Sequence, residues 1–238
     1  MGVTKIIFRR LILKLEGLKV NVLGDSITEG VGLKEETKTE TVYHALLAKE
    51  CGFKVARNYG ISGTRFAHQL LGGDKTELDY VDKNAFSIRY KDMDDDADLV
   101  LVFGGTNDYG HGNAPIGDFF DRTPETFYGA CHYLFRGLIR KYLGKQIVIM
   151  TPLHRTGELS QVGDGRKARP TLSLRGYVDI IREVAEYYSL PVIDLYRESG
   201  LQPELEEIQT TYIPDGLHPN EAGHIVMARK IKAALEAL

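Results

Sequence analysis

The sequence predicts an α/β fold, a mostly parallel sheet with helices on both faces. Short apolar runs alternate with helix-patterned segments from end to end, and the two cleanest runs break at glycine with polar residues directly behind. No linker-like shift in composition and no internal repeat interrupts the pattern, so residues 18–238 read as a single domain. Residues 1–17 form an extension whose apolar triplets (Ile6 to Phe8, Leu11 to Leu13) are broken by Arg9, Arg10 and Lys14. Its pattern fits an edge strand, a short helix or a segment packed outside the sheet.

The first core strand contains Val20, Val22 and Leu23 and stops at Gly24, with Asp25 and Ser26 next. A buried strand that stops at glycine delivers the following side chains to the carboxyl edge of the sheet, where open α/β sheets bind ligands. Helical spacing over residues 40–51 closes on Gly52. Residues 53–59 read as a second strand, followed by a Gly60 to Thr64 loop and a helix over 64–71 ending at Gly72 and Gly73. Residues 77–96 are polar and acidic. Their run of Asp92, Asp94, Asp95 and Asp96 lacks the glycine and terminal glutamate of a calcium loop and reads as a solvated approach to the next strand.

That strand, 98–103, is the strongest in the chain and breaks at Gly104 and Gly105. Thr123 and Pro124 look like the cap and first residue of a helix reaching about 143, with Gly144 behind it. A fourth strand over 147–150 leads into a polar loop over 151–170, long enough to predict a functional or moving segment. An amphipathic helix over 172–188, a fifth strand over 191–195 and a short helix from Pro203 follow. Residues 220–238 close the chain as a helix with Ile225, Val226, Ala228, Ile231, Ala234 and Leu235 as its buried stripe.

Composition narrows the function classes. With 43% apolar and 26% charged residues the chain has the makings of a sizeable core, and a net charge of -3 argues against nucleic acid or an anionic membrane as principal partner. Nothing approaches the ~18 apolar residues of a membrane span, and no apolar signal segment with a small-residue cleavage site is present, so a cytoplasmic enzyme is expected. Cys51 and Cys131 lack metal or redox spacing and read as small hydrophobes in helices. The stretch from Gly24 to Gly32 matches neither dinucleotide nor Walker patterns, so no cofactor is expected.

A serine hydroxyl is a poor nucleophile at neutral pH until a base takes its proton, and the base needs a partner to hold its tautomer. Of seven histidines, His44, His68, His132 and His224 fall in predicted helices, where packing or surface roles suffice. His218 follows Asp215 by three residues on a glycine-containing turn and precedes Pro219, which favours an extended backbone. It arrives after the last strand, on the rim expected for Ser26. Acyl transfer also needs donors aimed at the developing oxyanion. The Ser26 N–H, the unobstructed N–H of Gly63 and the side-chain amide of Asn107 supply three, from three strand ends. His111, His154 and Arg155 lie in loops beyond strand ends and are candidate substrate contacts.

Four blocks, GDSIT at Gly24, GISG at Gly60, GGTND at Gly104 and DGLHP at Asp215, resemble those of the SGNH hydrolases, the GDSL esterase/lipase family. The resemblance implies a three-layer αβα sandwich with a flavodoxin-like sheet. It also implies Ser26 as nucleophile, His218 as base oriented by Asp215, and an oxyanion hole of Ser26, Gly63 and Asn107. Ile27 stands where the family name has leucine, a mild change at an apolar position. The serine is not set in G-x-S-x-G, which separates it from the α/β-hydrolases.

The expected function is hydrolysis of short acyl esters, including acetyl groups on a sugar or other small polar alcohol, through an acyl-enzyme on Ser26. The triad would supply nucleophile and base, so no metal is needed. A thioesterase or lysophospholipase would use the same triad, and a non-catalytic carbohydrate- or acyl-binding module would keep only the fold. The loops over 109–122 and 151–170 match no subfamily pattern, so the alcohol and acyl group are not read from them.

Overall fold

The computed structural model describes residues 14–69, 84–165, 167 and 170–238. Five strands form one sheet: β1 (Lys19–Gly24), β2 (Val55–Gly60), β3 (Leu99–Phe103), β4 (Gln146–Met150) and β5 (Val192–Ile193). Their order is β2-β1-β3-β4-β5 and every pairing is parallel. Parallel neighbours cannot be joined by tight turns, so helices carry the crossovers and cover both faces. This is the doubly wound, flavodoxin-like order that the four blocks imply, and its crevice lies at the carboxyl ends of the strands.

The helices among the described residues are α1 (Ser26–Glu29), α2 (Lys38–Thr41), α3 (Tyr43–Cys51), α4 (Phe86–Arg89), α5 (Thr106–Gly110), α6 (Phe127–Lys141), α7 (Leu174–Tyr187), α8 (Leu195–Glu198), α9 (Glu206–Tyr212) and α10 (Glu221–Ala237). The period-two alternation of the central strands sorts the core into two layers. Leu99, Leu101 and Phe103 join Val148 and Met150 against α3 and α10, with Tyr43, Leu47, Met227 and Ile231. Val100, Val102, Ile147 and Ile149 face the other way, onto Phe86, Leu134, Phe135 and Ile181 of α4, α6 and α7. Cys51 and Cys131 are buried free thiols.

Register brings Gly60, Gly24, Phe103, Met150 and Ile193 to one level, so the loops that follow them share one rim. Gly60 is held to glycine by a close approach: a Cβ there would stand 2.2 Å from the Glu29 backbone nitrogen of α1.

Several elements differ from the sequence reading. Residues 64–69 form no helix, because their backbone donors are drawn elsewhere: Phe66 and Ala67 N–H bond the Asp108 carboxylate and His68 N–H bonds the Pro124 carbonyl. The continuation through Leu71 to Gly73 lies outside the described residues, as do 1–13 of the extension. Thr126, not Thr123, caps α6, its hydroxyl accepting from Gly129 N–H. The fifth strand shortens to two residues, and the helix expected from Pro203 begins at Glu206. In α10 Ile225 is 38% exposed, and the buried face runs through Gly223, His224, Met227, Ala228, Ile231 and Leu235.

The approach to β3 is not simply solvated. It holds α4 and a 3-10 turn at Tyr90–Asp92 with Phe86, Tyr90 and Met93 buried. Its acidic run is engaged in ion pairs: Arg57 reaches both Asp94 and Asp96, Lys19 reaches Asp96, and Lys141 reaches Asp95. Among the described residues no group of three or more His, Cys, Asp or Glu is arranged to hold a metal, and no helix is long and apolar enough to cross a membrane.

Candidate active site

The turn from β1 into α1 is built around Asp25. Its Oδ1 accepts the Ile27 N–H at 3.1 Å and caps α1, which places Ser26 as the first helical residue, 4% exposed. An N–H at the first position of a helix has no acceptor within that helix. Gly30 closes α1 in the left-handed region, and the N–H groups of Gly30 and Val31 both donate to the Ser26 carbonyl.

His218 arrives from the opposite end of the chain. After α9, Asp215 Oδ1 accepts the backbone N–H groups of Leu217 (2.9 Å) and His218 (2.7 Å), folding the turn onto itself. Its Oδ2 lies 2.7 Å from His218 Nδ1, and His218 Nε2 lies 3.0 Å from Ser26 Oγ. With Nδ1 carrying the proton toward the carboxylate, Nε2 is left to accept the Ser26 O–H. Partial burial works to raise the Asp215 pKa, but the hydrogen bonds from the His218 backbone and ring and the Leu217 N–H outweigh it and hold it below the ordinary value.

The loops after β2 and β3 are tied to one another. Gly63 takes φ +73°, a conformation L side chains rarely adopt, and its N–H has no acceptor among the described residues. Asn107 Nδ2 donates to the Thr64 carbonyl at 3.0 Å, which fixes the orientation of its amide, and the second hydrogen of that NH2 has no acceptor among the described residues. Asp108, the next residue, holds Phe66 and Ala67 at 2.9 and 3.1 Å.

Of the three candidate substrate contacts, His111 stays beside the cleft, its Nε2 3.4 Å from the Gly63 carbonyl. His154 is bound through Nδ1 to both Glu158 oxygens at 2.9 Å and lies against the Tyr196 ring. Arg155 is 7% exposed, pairs with Asp164 at 2.5 Å and lies over Tyr109. The loop carrying them is tied at both ends: Thr156 N–H donates to the Gly216 carbonyl beside Asp215, and Asp164 N–H donates to Gly110 at the end of α5. Lys167 joins it to the loop after β3, bonding the Asp108 and Gly112 carbonyls and the Tyr177 hydroxyl. Between these two loops is a cavity of about 450 Å³ lined by Gly112, Ala114, Ile116, Lys167 and Pro170 among others.

Burial shifts the carboxyl next to the serine. Asp25 is fully buried, its Oδ2 has no hydrogen-bond partner among the described residues, and desolvation raises its pKa to about 7 against the pull of the Ile27 N–H and Arg89. In the unfolded chain this proton leaves near pH 3.8, while in the folded chain it is kept to about pH 7. Its contribution to stability is therefore full below the lower value and is lost as pH rises to the higher one. Asp25→Asn keeps the cap acceptor without the charge. Its stability relative to the parent should grow between about pH 4 and pH 7, by on the order of a few kcal/mol, and level off above. Urea unfolding at several pH values measures this, and a difference that does not vary with pH would refute it.

A five-stranded parallel sheet with a serine, a histidine and an aspartate joined by hydrogen bonds at its carboxyl edge marks the molecule as a hydrolase of the SGNH type. The family model for GDSL-like lipases and acylhydrolases matches residues 22–226, and the chain belongs to that family. A crystal structure from Lactobacillus plantarum is 30% identical, covers 93% of this chain and 98% of its own, and superposes with a TM-score of 0.76. An acetylxylan esterase of Geobacillus stearothermophilus shares the fold with a TM-score of 0.56 at 20% identity, over 94% of this chain and 96% of that one. An acetylxylan esterase of Xylanibacter ruminicola is 25% identical over 236 residues, 94% of this chain and 44% of that protein. The chain thus spans less than half the length of that curated relative.

Proposed function

We propose that the protein is a serine esterase that removes short acyl groups, acetyl foremost, from a carbohydrate or another small polar alcohol. The observation that carries the reading is the hydrogen-bond chain from Ser26 Oγ through His218 to Asp215, at 3.0 and 2.7 Å. Similarity to an acetylxylan esterase over 94% of the chain supports the acetyl and carbohydrate parts of it.

In this mechanism Ser26 Oγ attacks the ester carbonyl carbon while His218 Nε2 takes the hydroxyl proton. The carbonyl oxygen, now negative, is met by the N–H groups of Ser26, Gly63 and Asn107. His218 returns the proton to the departing alcohol, leaving the acyl group on Ser26. Water then attacks the acyl-enzyme, its proton passes to His218, and the acid leaves as the proton goes back to Ser26 Oγ. Asp215 keeps the imidazole in one tautomer and stabilises its protonated form. The cavity between the loops after β3 and β4, within the usual volume range of small-molecule pockets, is our candidate for the alcohol side.

The test is a chain-length series of p-nitrophenyl esters beside acetylated xylo-oligosaccharides, together with labelling by a fluorophosphonate. The expected result is a kcat/KM that falls beyond the shortest acyl groups, release of acetate from the oligosaccharide, and a label that maps to Ser26. A profile rising toward long acyl chains would turn the assignment to lysophospholipids, and an unlabelled serine would remove the acyl-enzyme.

A further inference from the structure

Arg89 ends α4, 8% exposed, and among the described residues it donates to several neutral oxygens. One terminal nitrogen donates to the Tyr59 carbonyl, and the other to both the Gly24 carbonyl and the Thr64 hydroxyl, the last at 3.0 Å. Its Nε donates to the Asn84 carbonyl at 2.9 Å, and its plane lies 4.6 Å over the Phe86 ring. A buried charge is costly unless its donors are satisfied, and here a fork of fixed geometry meets that need with several acceptors at once.

What those acceptors belong to gives the fork its significance. Gly24 is the last residue of β1, two before Ser26, and its carbonyl also accepts the Ile61 N–H. Tyr59 is the next-to-last residue of β2, just before the loop carrying Gly63. Thr64 follows Gly63 directly, and its carbonyl is the group that Asn107 Nδ2 holds. One guanidinium therefore links the turn carrying the Ser26 N–H to the loop carrying the Gly63 N–H. Through Thr64 it also reaches the residue that orients the Asn107 amide. The geometry points to Arg89 as a positioning residue for the oxyanion hole, setting the spacing of three donors none of which it touches.

The inference rests on the acyl-enzyme reading above. Donor spacing matters most once the carbonyl oxygen becomes an oxyanion, so a loosened hole should cost turnover more than substrate binding. Lysine keeps the charge but presents a single nitrogen, which cannot span Gly24, Tyr59 and Thr64 in one plane.

The experiment compares the parent with Arg89→Lys, Thr64→Val, Thr64→Ser and Ser26→Ala on p-nitrophenyl acetate. It also measures inhibition by methylboronic acid, which adds to an activated serine as a tetrahedral anion. Arg89→Lys should lower kcat by roughly 30- to 300-fold with KM within about threefold, and the boronate inhibition constant should rise with the loss of kcat/KM. Thr64→Val should lose roughly tenfold in kcat, while Thr64→Ser, which keeps the hydroxyl, should stay near the parent. The Thr64 pair carries the test should Arg89→Lys not fold. A folded Arg89→Lys with a lower Tm but parental kcat, or equal kcat for Thr64→Val and Thr64→Ser, would overturn the proposal. Ser26→Ala separates the two readings. Its retained activity would remove the acyl-enzyme itself, whereas an inactive Ser26→Ala beside a fully active Arg89→Lys would remove only the role of Arg89.

Discussion

Replacing Ser26 or His218 with alanine is expected to lower kcat on a short acyl ester by on the order of 10⁴- to 10⁶-fold, and replacing both should cost little more than replacing either. In the proposed mechanism the two side chains act as one unit. Ser26 Oγ is 3.0 Å from His218 Nε2, so without the imidazole the hydroxyl keeps its proton, and without the hydroxyl the imidazole has nothing to activate. KM should move far less, since neither group is needed to hold the ester. Asp215→Asn is a graded case. The Asp215 side chain is 56% exposed, so water can stand in for part of the lost interaction, and an asparagine can still accept from Leu217 and His218 N–H. A fall of roughly 10²- to 10³-fold is expected there, smaller than the ~10⁴-fold for a buried triad aspartate. Steady-state kinetics on the three single variants and the double variant decide this. Multiplying losses in the double variant, or a Ser26→Ala protein that still turns over at the parental rate, would mean that another group attacks the ester.

Asn107→Ala should lower kcat by about 10²- to 10³-fold, again with little change in KM. Its Nδ2 is anchored on the Thr64 carbonyl at 3.0 Å, leaving one N–H for a developing oxyanion. That donor matters most after the carbonyl carbon has been attacked, which is why the loss should appear in turnover. Asn107→Asp should be worse than alanine, because it places a carboxylate where negative charge must accumulate. A rise in KM at constant kcat in either variant would instead make Asn107 a substrate-binding group and leave the oxyanion to Ser26 and Gly63.

Much of the fold could be read before any coordinates. Strands β1, β3 and β4 are apolar runs ended by turn or loop residues, and their ends come within a residue or two of where periodicity puts them. The four blocks around Gly24, Gly60, Gly104 and Asp215 are visible because each follows a strand or precedes a helix with unusual local chemistry. Local pattern misleads where long-range partners outweigh local preference. Residues 64–69 have helical spacing, yet the Asp108 carboxylate and the Pro124 carbonyl take N–H groups that a helix would use internally. Thr123 with Pro124 looks like a better helix start than Thr126, but Thr126 makes the capping bond to Gly129 N–H. The aspartate run from Asp92 is exposed, as its polarity suggests, but its partner cations Lys19, Arg57 and Lys141 lie too far from it in sequence to be read there.

His154 and Arg155 show the same limit from the functional side. Both sit in a loop beyond a strand end, where polar residues invite a substrate, and both are held by carboxylates of that same loop, Glu158 and Asp164. Arg89 is the converse. Nothing in its neighbourhood in the sequence marks it, since a guanidinium that bonds carbonyls of two strand ends and a threonine hydroxyl leaves no local pattern.

The sequence alone determined the α/β class, a mostly parallel sheet and the residues proposed for acyl transfer, because each is read from patterns a few residues long. The tertiary structure alone decided which polar groups meet: His218 at Ser26, Asn107 at Thr64, and Arg89 across the ends of β1 and β2. Those contacts join segments up to 192 residues apart, and such pairing is settled by how helices and strands pack and by which buried donors must find an acceptor.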